Sequence, residues 1–146
     1  MITKGKILVI EDLEEWQVDL RQSLEQAGFY VEVVDDLESA LSKIKKELFH
    51  FITIDMNLKR HNRIPEAFDG WDILKVVKQL QLNERTPTMI ITAYPEDFLR
   101  LHIGQDVEEL FLMDKGTFDR DEFIKIVERE INRKNLRFKD DHRDNH

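Results

Sequence analysis

Five short apolar runs, near residues 6–10, 30–34, 51–54, just after Pro87 and 110–113, are separated from one another by amphipathic stretches. That alternation restricts the fold sharply. Continuously apolar runs of this length read as strands buried on both faces, with the amphipathic stretches as the helices that cover them. Repeated strand-helix units of this kind build a parallel sheet through right-handed crossovers. The fold class predicted is therefore α/β.

The arrangement chosen is a flavodoxin-like (βα)5 doubly wound parallel sheet with strand order 2-1-3-4-5, in which strands one and three flank the switch point. After the first strand, Leu13, Trp16, Leu20, Leu24 and Ala27 recur at helical spacing until Gly28 stops them. Asp35 with Glu38 reads as an acidic variant of a capping box, followed by a buried stripe of Leu37, Leu41, Ile44 and Leu48. A third helix opens near Gly70 and carries Trp71, Leu74, Val77 and Leu80. Pro95 starts a fourth, whose Phe98, Leu99, Leu101 and Ile103 mix periods. Asp119 and Glu122 open the last helix, which runs through Ile124, Val127 and Ile131.

Ligands of such sheets bind outside the carboxyl ends of the strands. The residues found there are Glu11 and Asp12 after the first strand, Asp55 after the third, Thr92 after the fourth, and Asp114 and Lys115 after the fifth. No glycine loop follows the first strand; Glu11-Asp12-Leu13-Glu14-Glu15 is acidic where a nucleotide or flavin phosphate needs backbone amides. With no cysteine, disulfides, thiolate zinc sites and a cysteine nucleophile are excluded. A net charge of -8 without a basic stripe argues against nucleic acid and membrane surfaces as partners. No run approaches membrane-spanning length, and a cytoplasmic protein is the expectation.

Three carboxylates converging in a partly dehydrated crevice repel one another, so a hard divalent cation is the natural occupant. Magnesium fits best, because it takes oxygen ligands and commonly binds through one or two carboxylates plus a phosphoryl oxygen. Lys115 then offers a point charge and Thr92 a hydroxyl to a phosphoryl group. An aspartate can itself act as the nucleophile and form an acyl phosphate.

Together these residues resemble the response-regulator receiver domain of two-component signalling, over about residues 5 to 131. The resemblance implies that Asp55 is the phosphoacceptor, Asp12 a direct magnesium ligand, and Glu11 an acidic neighbour acting mainly through water. It further implies that the backbone carbonyl of Asn57 binds the metal and that Thr92 is the switch hydroxyl. Ala93 is then the small residue that leaves room for the phosphoryl group, and Lys115 the contact to it. The donor it implies is a histidine kinase or histidine phosphotransfer protein, and the chain is then a self-phosphorylating signalling domain with slow hydrolysis, not an enzyme.

Four features depart from the family pattern. Gly116 follows Lys115 where a Pro is usual, and Leu112 stands where a Tyr or Phe often reorients, with Phe111 one place earlier. Gly70 lies fifteen positions after Asp55, a longer spacing than is usual, and the inserted segment 59–68 rims the site. Tyr94 is bulky where attacking water gains access.

Local alternatives stand beside these roles. Glu11 also reads as a solvated loop acid, Asp114 as a solvated or locally paired side chain, Trp16 and Trp71 as packing residues with partner contact as the lesser alternative, and Lys59, Arg60, His61 and Arg63 as an exposed loop. The expected division is a receiver domain over 1–131 and a charged, flexible extension over 132–146, too short for a DNA-binding effector. The expected output is a contact with a downstream protein or onward phosphoryl transfer. The alternative is a receiver-like interaction module that is never phosphorylated; a metal-dependent phosphohydrolase is disfavoured, for want of further acid or base groups.

Overall fold

The strands that the apolar runs predict assemble into one five-stranded, wholly parallel sheet in the order β2-β1-β3-β4-β5. They are β1 (Lys6–Ile10), β2 (Tyr30–Val34), β3 (Phe51–Asp55), β4 (Thr88–Thr92) and β5 (Leu110–Asp114). Among the described residues, the helices with defined bounds are α1 (Glu14–Gln26), α2 (Leu37–Lys46) and a C-terminal helix (Arg120–Asp144), the last preceded by a 3-10 turn (Lys115–Thr117). This computed structural model describes residues 3–55, 75, 77–78, 83, 85–96 and 110–144. Residues 75, 77 and 78 are helical, as is the turn at Pro95 and Glu96. Gly70, Trp71, Leu74, Leu80, Phe98, Leu99, Leu101, Ile103 and the segment 59–68 lie outside the described residues.

Strand side chains alternate between faces, so a run that is apolar throughout feeds two cores. Leu8, Ile10, Ile52, Ile54 and Ile90 pack with Ala40, Ile44, Phe49 and Val77 on one face. On the other, Ile7, Val9, Phe51, Met89 and Ile91 pack with Leu20, Leu24, Phe123, Val127 and Ile131. Every residue of β3 and β4 is buried, including Asp55 and Thr92 at their ends. The sheet thus carries two polar side chains to the rim of a closed core.

Several local expectations need correction. Leu13 is the N-cap of α1 and is 49% exposed, so it does not belong to the buried stripe. Leu48 likewise lies beyond α2 and is exposed. The cap of α2 is Asp36, whose Oδ1 accepts from the Ser39 amide at 2.6 Å, rather than Asp35. Asp36 has the extended backbone an N-cap needs, at φ -140° and ψ 166°. Gly28 ends α1 as expected, at φ +101°, a conformation that strains any side-chain-bearing residue. Asp119 caps the C-terminal helix through the Glu122 amide at 3.2 Å. That helix runs past Ile131 to Asp144. Apolar spacing ends there, but the segment holds helix-compatible residues and close acid-base pairs such as Glu130 with Arg133 at 2.8 Å.

Asn83 is a tie that apolar patterning does not reveal. Fully buried, it donates through Nδ2 to the carbonyls of Ile44 and Glu47, both at 2.8 Å, at the end of α2. Its Oδ1 accepts from the Phe49 amide at 3.0 Å and from the Thr86 hydroxyl at 3.1 Å. One side chain therefore fixes where α2 releases the chain into β3. We predict that Asn83→Leu lowers unfolding free energy by about 2–3 kcal/mol, because it strands several buried groups. Urea denaturation measures it, and a loss below about 0.5 kcal/mol contradicts this role.

Candidate functional site

The first strand leaves the sheet at Ile10, but the backbone stays tied for one more residue, as the Glu11 amide donates to the Val34 carbonyl at 3.0 Å. The Glu11 carbonyl accepts from Gln17 Nε2 at 2.7 Å, which clips the turn to α1. These two bonds hold the Glu11 side chain in the crevice between strands. It is only 2% exposed, so the solvated-acid reading does not hold. Its Oε1 accepts from Lys115 Nζ at 2.6 Å, across 104 residues of sequence.

Asp55, the last residue of β3, is 5% exposed and lies opposite Ile91 in the register of β4. Its Oδ2 is 3.7 Å from Lys115 Nζ. Asp12 is half-buried beside it. Glu11, Asp12 and Asp55 each offer one oxygen lying within 4.8 Å of the other two. Among the described residues, then, the structure brings together the three acids and the lysine singled out from strand ends.

Burial is the largest cause raising the Asp55 carboxyl from 3.8 to about 7, and the adjacent Glu11 carboxylate adds to it, while Asp12 and Lys115 oppose. Asp12 is raised to about 6, first by burial and then by Asp55, against the pull of Lys115. Repulsion explains the direction. At an effective dielectric of about 20, two like charges within 4.8 Å repel by about 3 kcal/mol or more. One ammonium does not offset three carboxylates, so without another cation the cluster holds protons instead.

The donor set fits a magnesium ion. Glu11 Oε2 is buried without a hydrogen-bond partner, close to two other carboxylates, and all the available ligands are oxygens. A hard dication satisfies that orphaned oxygen and the excess negative charge together.

Thr92 is 1% exposed at the end of β4, opposite Asp114 in register, and its Oγ1 accepts from the Tyr94 amide at 3.0 Å. Ala93 is exposed and Tyr94 is 60% exposed. Asp114 is locally paired, since its Oδ1 accepts from the Gly116 amide at 2.7 Å and caps the 3-10 turn. Leu112 packs against the first core and Phe111 against the second. Asn57 lies outside the described residues.

Sequence reasoning missed two contacts. Gln17 carries no pattern signal, and Trp16, read as a packing residue or a partner contact, also carries the Lys115 ammonium 5.0 Å from its ring centroid. Both lie within the first turn and a half of α1, immediately after the acidic pair. That proximity to Glu11 and Asp12 is the available signal.

Fold and site define a doubly wound α/β domain with an acidic crevice at its strand ends, and comparison with known proteins supplies the family. The family model for the response regulator receiver domain matches residues 7–128, and the chain belongs to that family. It is 29% identical over 125 residues to the transcriptional activator protein IrlR of Burkholderia pseudomallei, covering 85% of this chain and 48% of that protein. It is 32% identical over 88 residues to the transcriptional regulatory protein HprR of Escherichia coli, covering 60% of this chain and 35% of the relative. The chain thus spans about half the length, or less, of these curated relatives.

Among solved structures it resembles the chemotaxis response regulator CheY4 of Vibrio cholerae, at TM-score 0.69 and 24% identity over 86% of this chain and 98% of that one. It also resembles the receiver domain of the sensor histidine kinase PA1611 from Pseudomonas aeruginosa, solved with magnesium coordinated in the active-site cleft. That match has TM-score 0.70 and 22% identity, covering 88% of this chain and 98% of the other. Receiver domains are signalling domains of two-component systems, typically phosphorylated by histidine kinases and read by downstream targets.

Metal binding must expel the protons that Asp12 and Asp55 hold, so magnesium affinity rises with pH. With values of about 6 and about 7, the expected gain is about tenfold from pH 6 to 7 and about twofold from pH 7 to 8. Both carboxyls bind protons more tightly folded than unfolded. Their contribution to metal-free stability therefore falls as pH climbs from 3.8 through about 6 and about 7. Isothermal titration with magnesium at those three pH values is the check, and a pH-independent affinity contradicts the assignment.

Proposed function

We propose that this receiver accepts a phosphoryl group on Asp55 from a histidine kinase or histidine phosphotransfer protein and thereby switches a protein-binding face. The observation that supports this most is the shared Lys115 ammonium, 2.6 Å from Glu11 and 3.7 Å from Asp55 beside a third acid. One carboxylate oxygen of Asp55 attacks the phosphorus of a phosphohistidine. An O–P bond forms as the P–N bond breaks, and the bonding pair returns to the imidazole nitrogen.

Glu11, Asp12 and Asp55 are the side chains we assign to magnesium, together with the Asn57 carbonyl that the family resemblance implies. When bound, the ion offsets the negative charge of the acids and of the incoming phosphoryl oxygens. Lys115 adds a second positive charge, already 3.7 Å from the acceptor before the donor arrives. Thr92 offers its hydroxyl to a phosphoryl oxygen, and Ala93 leaves space beside it. To Tyr94, which is exposed, we assign restriction of the water that later hydrolyses the acyl phosphate, as the family resemblance implies.

The added charge draws Lys115 and Thr92 toward Asp55 and biases the segments that follow β4 and β5. A partner that binds one of the two states better then reads the signal. A net charge of -8 favours a protein over nucleic acid as that partner.

Incubation with magnesium and acetyl phosphate, followed by intact mass, tests the acceptor. The expected result is a single phosphoryl adduct that is lost in Asp55→Asn and without magnesium. An adduct that persists in Asp55→Asn, or a folded wild type that takes none, contradicts the reading.

A further inference from the structure

Lys115 has a third neighbour that is not a carboxylate. Trp16, on the first turn of α1, places its ring centroid 5.0 Å from the ammonium, and the lysine side chain is only 9% exposed. Indole is the strongest side-chain partner for a cation over a ring, and the attraction grows as water is excluded. Phe118 meets the same indole edge to face, with centroids 5.2 Å apart and planes at 87°. It follows Lys115 by three residues, at the exit of the 3-10 turn. Phe123 of the C-terminal helix backs Phe118 at 5.4 Å. One indole therefore grips both ends of a short loop.

The loop needs such a grip. Gly116 at its centre is conformationally permissive, and the Asp114 cap ties only the backbone. Glu11 and Asp55 attract the ammonium, but both become occupied when a cation and a phosphoryl group enter. The ring face is neutral, so its hold on Lys115 does not depend on the charge state of the acids.

We propose that Trp16 is a positioning residue for the phosphoryl-accepting reaction, holding the Lys115 ammonium at Asp55 through its indole face and through Phe118. This rests on the assignment of Asp55 as phosphoacceptor. It carries a spectroscopic consequence, because the indole senses the ammonium directly: movement of Lys115 toward an acyl phosphate changes Trp16 emission. Trp71 is the second tryptophan of the chain, so a Trp71→Phe background isolates the signal.

The experiment is a time course of adduct formation with acetyl phosphate at saturating magnesium, read by intact mass, for wild type, Trp16→Leu and Trp16→Phe. The same substitutions are made in Lys115→Met, and emission is followed in Trp71→Phe. Trp16→Leu is expected to slow adduct formation about tenfold, with Trp16→Phe recovering much of the rate. In the Lys115→Met background Trp16→Leu is expected to have no further effect, and the emission change is expected to vanish. A wild type that takes no adduct overturns the acceptor assignment and this inference with it. Adduct formation in Trp16→Leu at the wild-type rate, or an equal slowing with and without Lys115, overturns the positioning role alone. Should Trp16→Leu fail to fold, an emission change on phosphorylation that persists in Lys115→Met overturns it as well.

Discussion

One ammonium shared among buried carboxylates is the constraint around which this molecule is arranged. Lys115 contacts Glu11 and Asp55, with Asp12 close by, at a site from which water is largely excluded. Burying an ion pair does not in itself stabilise a fold, because lost hydration roughly offsets the Coulomb attraction. Here the imbalance is larger, with three acids and one base, and the fold relieves it by raising the proton affinity of Asp12 and Asp55. The ligand-free site is consequently poised: a proton, a dication or a rearranged lysine each relieves the same repulsion.

Such a site needs a rigid frame, because acids that repel move apart unless the backbone forbids it. The frame is the parallel sheet. Glu11 leaves β1 while still bonded to the Val34 carbonyl, and Asp55 is the final residue of a strand buried along its whole length. Around them the two cores take alternate side chains of the same strands, so displacing either acid disturbs packing on a face of the sheet. Lys115 is held differently. It sits on a 3-10 turn beside Gly116, tied by a carboxylate cap and an aromatic contact, not by strand pairing.

The sheet and the position of its polar strand ends were legible from sequence for the same reason: a strand buried on both faces must be apolar until it ends, so Asp55, Thr92 and the Glu11-Asp12 pair announce themselves. Strand order and the meeting of acids with lysine follow from topology. Helix ends were less legible. Periodicity marks which residues face inward but not where the helix begins or stops, so Leu13 and Leu48 were placed in stripes they lie outside. The choice between Asp35 and Asp36 as cap depends on a backbone angle that neither residue type specifies. Least legible were the pairings across the fold. Asn83 on the carbonyls of Ile44 and Glu47, and Trp16 on Lys115, depend on side-chain direction between distant segments, which no local pattern encodes.

The difference in how the two halves of the site are held also determines where a signal can leave it. Acids on strand ends, anchored by ladder bonds and by two packed cores, have nowhere to go when charge is added to Asp55. The lysine does, since its anchors are few and one of them, Glu11, competes with the acceptor for the same ammonium. A ligand shifts a conformational equilibrium only by its differential interaction with the two states. New negative charge on Asp55 interacts differently with Lys115 according to whether the ammonium rests on Glu11 or turns to the acceptor. Under the proposed function the Lys115–Thr117 turn would respond first, and Trp16 and Phe118 join that turn to α1 and, through Phe123, to the C-terminal helix. A single aromatic cluster thus links that ammonium to two helices.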